Sequence, residues 1–66
     1  MPAPKTQVEV QLVGLDGNVF SIIGRVTRAL RRAGHGELAV EFRTAAMQQH
    51  SYDDVLGLVM QYVDAT

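Results

Sequence analysis

Polar and apolar residues alternate over residues 7–13, QVEVQLV, which follow a short segment containing two prolines. A two-residue period is typical of a β-strand that buries one face and exposes the other. The sequence therefore predicts one strand here. Its buried face would carry Val8, Val10 and Leu12, and its exposed face Gln7, Glu9 and Gln11.

After the turn signal GLDGN, the spacing of the apolar residues changes to that of a helix. A first helix is predicted over residues 18–33, with Asp16 or Asn18 capping its free N–H groups. Gly34 stands where the end of a helix favours a left-handed residue. The apolar side chains of this helix form one stripe, which comprises Val19, Ile22, Ile23, Val26, Leu30 and Ala33.

Two more helices are predicted, over residues 37–48 and 51–63, the second of them capped by Ser51. The pattern indicates an α+β fold with one N-terminal β-strand followed by three α-helices. It forms a single small domain at residues 7–66 after a flexible tail at residues 1–6. In the core we expect Ile23, Val26 and Leu30 of the first helix to pack against Leu56 and Val59 of the third.

A lone strand leaves its N–H and C=O groups without partners. Either residues 61–66, QYVDAT, supply a second short strand or a second copy of the chain does, and we expect the second copy. The third helix also spreads apolar side chains over about 200° of its circumference, more than a surface helix of a monomer needs. These features predict a homodimer or larger homo-oligomer. The expected self-association residues are Val8, Val10, Leu12, Phe20, Gly24, Leu58 and Tyr62.

Gly24 lies in the middle of the first helix, where glycine costs about 1 kcal/mol relative to alanine. It marks either a close crossing of two helices, with Phe20 and Thr27 beside it, or a tolerated glycine without a role. The sequence leaves both interpretations open.

The composition limits the class of protein. With 66 residues, 47% hydrophobic and 20% charged, the chain is one small globular domain, and a formal net charge of −1 argues against a generally basic protein. Because cysteine is absent, neither a disulfide nor a thiolate zinc site stabilises the fold. The start, MPAPKT, lacks the apolar stretch of a signal peptide, and no apolar run approaches about 20 residues. We therefore expect a cytoplasmic protein with no membrane contact.

Arginines dominate the polar face of the first helix. Arg25, Arg28 and Arg32 lie within about 60° of one another, opposite the apolar stripe. Such a face could follow a phosphate backbone, where each neutralised phosphate adds affinity through counterion release. The other interpretation is a solvated face, and the slight net negative charge and the lack of an aromatic residue among the arginines favour it. In that case acidic side chains would pair with the arginines, the candidates being Glu37, Glu41, Asp53 and Asp54.

No side chains in the sequence form a recognisable active site. His35 and His50 lie in the breaks between helices and lack the spacing of metal ligands. The adjacent Asp53 and Asp54 point apart on a helix, so they do not form a catalytic pair. We therefore expect no enzyme, cofactor or metal, and predict a protein-interaction module that binds a second copy of itself or another protein. The alternative is a nucleic-acid-binding protein that uses the basic face of the first helix.

One pattern extends over residues 14–63. It is Asp-Gly-Asn, an aromatic residue two positions later, Ile-hydrophobic-Gly, a helix ending in Ala-Leu-basic-x-Ala-Gly, and finally Tyr-Asp with an apolar helix. The chain resembles a group of short bacterial and phage proteins that share this pattern and have no known activity. Val19 departs from it, since members more often have alanine there. The resemblance implies a small accessory protein of a bacterium, phage or mobile element. The matching residues are Asp16, Gly17, Asn18, Phe20, Ile22, Gly24, Ala29, Leu30, Ala33, Gly34, Tyr52 and Asp53.

Overall fold

The computed structural model describes residues 3–12 and 18–66. The α+β class is confirmed, as are the N-terminal strand and the three helices, and a short strand follows the last helix. Each helix boundary lies within two residues of its predicted position. In chain order the elements are β1 (Glu9–Val10), α1 (Val19–Arg32), α2 (Gly36–Ala46), α3 (Tyr52–Tyr62) and β2 (Asp64–Ala65).

Side-chain caps define the N-terminal ends of two helices. The Asn18 side-chain oxygen accepts a hydrogen bond from the Phe20 N–H at 2.8 Å at the start of α1. At the start of α3, the Ser51 Oγ accepts one from the Asp54 N–H at 3.1 Å. Each cap satisfies an N–H that has no partner within its own helix, so the two predicted caps are confirmed. The alternative cap, Asp16, lies outside the described residues.

Gly34 ends α1 as the sequence predicts, because its φ of 87° lies in the left-handed region that glycine adopts without strain. The Gly34 N–H donates to the Arg31 carbonyl at 3.1 Å, and the His35 N–H donates to the Leu30 carbonyl at 2.8 Å. This pair of bonds is the Schellman arrangement, which satisfies carbonyls at the helix end. The chain then turns directly into α2.

Strand β1 pairs with β2 in a parallel, two-stranded sheet within the same chain. The Asp64 N–H donates to the Val8 carbonyl at 2.8 Å, the Thr66 N–H to the Val10 carbonyl at 2.9 Å, and the Leu12 N–H to the Thr66 carbonyl at 2.8 Å. This edge of β1 is therefore occupied by β2 of the same chain, and not by the second copy that the sequence favoured. The three helices return the chain to β1, as a parallel connection requires.

The hydrophobic core lies between the three helices and the inner face of β1. Leu30 and Val26 of α1 are fully buried with Phe42 of α2 and Val59 of α3. Leu56 is half-buried and packs against this cluster, so the expected contact between the first and third helices is confirmed in its main residues. Ala33, the last residue of the predicted stripe, is exposed.

The segment before β1 docks on the end of α3. The Lys5 N–H donates to the Gln61 carbonyl at 2.9 Å, and the Thr6 N–H donates to the Tyr62 carbonyl at 3.1 Å. The Thr6 hydroxyl donates to the same Tyr62 carbonyl at 2.7 Å, and Thr6 is buried. The packed domain therefore includes Lys5 and Thr6, two residues before the boundary drawn from the sequence.

A polar cluster around Tyr62 joins this segment to α2 and α3. The Tyr62 hydroxyl donates a hydrogen bond to the Glu41 carboxylate, whose Oε2 lies 3.7 Å from the Lys5 Nζ. Lys5 Nζ also lies 5.4 Å from the centre of the Tyr62 ring, which packs edge-on against Phe42. Burial, and then the neighbouring Glu41, raise the pKa of Tyr62 to about 12. The phenol thus stays a neutral hydrogen-bond donor at physiological pH.

Candidate functional site

The seven residues predicted for self-association differ in how far the core of the chain buries them. Val10 and Tyr62 are buried in the core of the chain. Val8, Leu12 and Leu58 are half-buried and pack against that core. Phe20 is 67% exposed, and Gly24 lies one helical turn further along α1 with part of its surface open. Among the seven, Phe20 and Gly24 are therefore the best placed to contact another molecule.

Phe20 borders a groove formed where the start of α1, the end of α2 and the start of α3 meet. Met47 and Tyr52 form its other exposed rim and are 55% and 40% exposed, while Ile23 and Val55 form its buried floor. The groove encloses about 300 Å³. We call it the apolar groove. The other residues that line it are Val19, Ala46, Gln49, His50 and Ser51.

The sequence did not predict that Met47 and Tyr52 lie beside Phe20. Met47 lies just after α2, opposite the main buried face of that helix, and Tyr52 is the first residue of α3. Their meeting depends on the short turn between α2 and α3, which only the tertiary structure shows.

Gly24 opens onto free space within the described part of the chain. A Cβ added there would meet only the Arg28 guanidinium, at 3.8 Å, so no helix of residues 18–66 crosses α1 at this point. Thr27, expected to flank a crossing, is instead buried and donates to the Ile23 carbonyl at 2.7 Å. A close approach at Gly24, if one exists, is made by another molecule.

The predicted basic face lies on the flank of α1 beside β1. Arg25, Arg28 and Arg32 are all exposed, and Ala29 between them is half-buried. Together with Glu9, Val10 and Gln11 these four residues line a groove of about 330 Å³, which we call the arginine groove. A depression of about 410 Å³, lined by Phe20, Gly24 and Arg25 among others, lies between the two grooves along α1.

The arginines do not find the acidic partners that the sequence suggested. Among residues 3–12 and 18–66 the recorded ion pair is Lys5 with Glu41, and Glu41 also accepts the Tyr62 hydroxyl. Glu41 is thus engaged by Lys5 and Tyr62. Within the described ranges, the guanidinium groups of the basic face are left to solvent or to a ligand.

The histidines and Ser51, which were weighed as candidate ligands or bases, lie at or between helix ends. No group of three or more histidine and carboxylate side chains that could hold a metal ion occurs within residues 3–12 and 18–66. His35 caps α2 through its backbone, and His50 lines the apolar groove. Ser51 accepts a hydrogen bond as a helix cap. No helix within these ranges has the length and apolar character needed to cross a membrane.

Comparison with known proteins identifies no relative. The chain matches no family model, no curated protein and no solved structure. Functional inference for this chain therefore rests on its own two grooves, and its resemblance to short bacterial and phage proteins stays a prediction.

Proposed function

We propose that the chain is a non-enzymatic protein-interaction module that associates with a second copy of itself through the apolar groove and the neighbouring Gly24 face of α1. The observation that carries this proposal is the exposure of Phe20, Met47 and Tyr52 around one groove. A domain of this size buries only about 60% of the surface of its unfolded chain, so its stability margin is small. A partner that covers these exposed side chains removes their apolar surface from water, which favours association.

The geometry of α1 supports a second copy as the occupant. A twofold dimer uses the same patch on both chains. If two α1 helices cross antiparallel at Gly24, the missing side chain lets their backbones approach closely. Phe20 of each copy then meets Arg28 of the other, since both lie four residues from Gly24. An arginine over an aromatic face contributes about 0.5–1 kcal/mol at an exposed site.

Light scattering at micromolar concentration tests the proposal. We expect a mass of at least two 7.2 kDa chains for the parent protein. The variant Phe20→Ser should give a single chain with unchanged helical circular dichroism, because the side chain is exposed and contributes little to the core. Met60→Ser is the matched control, since Met60 is 61% exposed on α3 and lies outside the groove. A folded monomeric parent, or a dimeric Phe20→Ser, would contradict the proposal.

The pattern over residues 14–63 resembles that of short bacterial and phage proteins, which supports a role as an accessory protein of a bacterium, phage or mobile element. That pattern supplies no activity and no partner. Phe20 and Gly24, which belong to it, are also the two surface positions of the proposed interface. The proposed dimer would therefore be shared by proteins with the same pattern.

Nucleic-acid binding is the second candidate, and it is favoured by the exposed arginines, which have no recorded ion pair among residues 3–12 and 18–66. Three arginines per chain neutralise about three phosphates, and a dimer about six, so affinity would fall roughly a thousandfold between 50 and 200 mM salt. In a gel-shift titration at about 150 mM salt we expect no complex with DNA or RNA below about 10 μM. A sub-micromolar complex lost on replacing Arg25, Arg28 and Arg32 by glutamate, with helicity retained, would place this candidate first.

A further inference from the structure

The main chain of β1 is hydrogen-bonded along one edge. Val8, Val10 and Leu12 direct their groups toward the segment at residues 64–66. Because alternate residues of a strand present their N–H and C=O groups at opposite edges, those of Glu9 and Gln11 point the other way. No main-chain partner for them is recorded within residues 3–12 and 18–66. This second edge of β1 faces the arginine groove.

The arginine groove has the form of a site for an extended chain. One wall is the edge of β1 and the other is the flank of α1, with the small side chain of Ala29 between Arg25 and Arg32. Domains that accept a peptide as an added strand use such a strand edge for main-chain hydrogen bonds, and use neighbouring side chains for specificity. Even a two-stranded sheet is marginal in water, so a third strand would also stabilise β1.

We propose that the arginine groove binds an extended acidic segment of another protein, which adds to β1 as a third strand. Its main chain would bond to Glu9 and Gln11, and its acidic side chains would meet Arg25, Arg28 and Arg32. Residues two apart on a strand lie about 6.7 Å apart. Arg28 and Arg32 are separated by about 6 Å along the helix axis. A segment with acidic residues at alternate positions therefore fits the groove.

Charge distinguishes this occupant from a second copy of the chain. Residues 7–12 contain one acid, Glu9, so a second β1 brings little negative charge into the groove. Twofold pairing of two β1 strands would also place the α1 helices side by side on one face of the sheet, with their arginine flanks opposed. The arginines of the two copies would repel each other, whereas an acidic strand neutralises their charge.

A polypeptide also fits the groove better than a nucleic acid does. The open edge of β1 offers N–H donors and C=O acceptors, and a phosphate backbone supplies only acceptors to it. A polypeptide strand can pair with both the N–H and the C=O of Glu9 at this edge, whereas a phosphate can accept only from the N–H. The residues that line the groove include no aromatic ring on which a base could stack.

The test uses the full chain and a fluorescein-labelled peptide of alternating glutamate and threonine, with binding followed by fluorescence anisotropy at about 150 mM salt. We expect saturable binding that weakens at least about tenfold in the double variant Arg25→Glu, Arg32→Glu, which leaves Arg28 of the proposed dimer unchanged. Arg31→Glu is the matched control, because Arg31 is exposed on the same helix outside the groove. Binding should also slow hydrogen exchange at the amides of Glu9 and Gln11.

A second peptide, methylated at alternate backbone nitrogens, separates strand addition from general charge attraction. It keeps every carboxylate but cannot complete the ladder, so we expect its affinity to fall at least about tenfold. Equal binding of the methylated peptide, equal loss with Arg31→Glu, or no binding at all would overturn the proposal. So would a labelled oligonucleotide that binds tighter than the peptide. Because Phe20 is not involved, failure here leaves the proposed dimer unaffected.

Discussion

Replacing Leu30 by alanine is expected to remove most of the stability of the fold. Leu30 is fully buried in the last turn of α1, in one core cluster with Val26, Phe42 and Val59. Truncating a buried leucine costs about 2–5 kcal/mol, from lost burial and from the cavity that remains. A core of this size without disulfides rarely supplies more than about 3–5 kcal/mol. We therefore expect Leu30→Ala to lose helical circular dichroism at room temperature.

Val40→Ala is the matched control for Leu30→Ala. It removes an apolar side chain from α2 that is 57% exposed, so its urea midpoint should stay close to that of the parent. If Leu30→Ala melts like Val40→Ala, the apolar stripe of α1 does not face the core and the packing of the three helices is incorrect.

A chain that stops at Val63 is expected to lose about 3 kcal/mol of stability. The deletion removes β2 and with it three main-chain hydrogen bonds to β1, each contributing about 1 kcal/mol net. It also uncovers the edge of β1 that pairs with β2, beside the buried Val10. Urea denaturation followed by circular dichroism should show this loss as a lower midpoint.

Thr66→Ala is the control for the deletion. The Thr66 side chain is exposed, and its main-chain bonds to Val10 and Leu12 do not depend on it. We expect this variant to unfold like the parent. An unchanged midpoint for the shortened chain would mean that β1 finds its partner in a second copy instead.

Local sequence signals predicted the helices well. Asn18 and Ser51 cap through their own side chains, and Gly34 ends α1 because it adopts a positive φ. Each of these effects acts over a few residues, so no tertiary information is needed to find it. The alternation around Val10 likewise predicted which face of the strand is buried.

The candidate site was predictable only in part. The arginine face of α1 follows from helical spacing, and so does the presence of Phe20 outside the main stripe. The residues around Phe20 could not be predicted from the sequence. Met47 and Tyr52 are distant from Phe20 along the chain and meet it only where three helix ends converge. Among the described residues no ion pair to the arginines is recorded, and α2 places Glu41 beside Lys5 instead.

The linear pattern was sufficient for the class of fold, the helix ends and most of the core, because caps, turns and periodicity are local properties of the chain. The partner of β1 was decided by tertiary structure. Residues 61–66 carry no alternation that marks a strand, and β2 has only two residues. Its pairing exists because three packed helices return Asp64 to within hydrogen-bonding distance of Val8, and no local signal contains that distance. The position of the second edge of β1 beside the arginines is also decided by the tertiary structure.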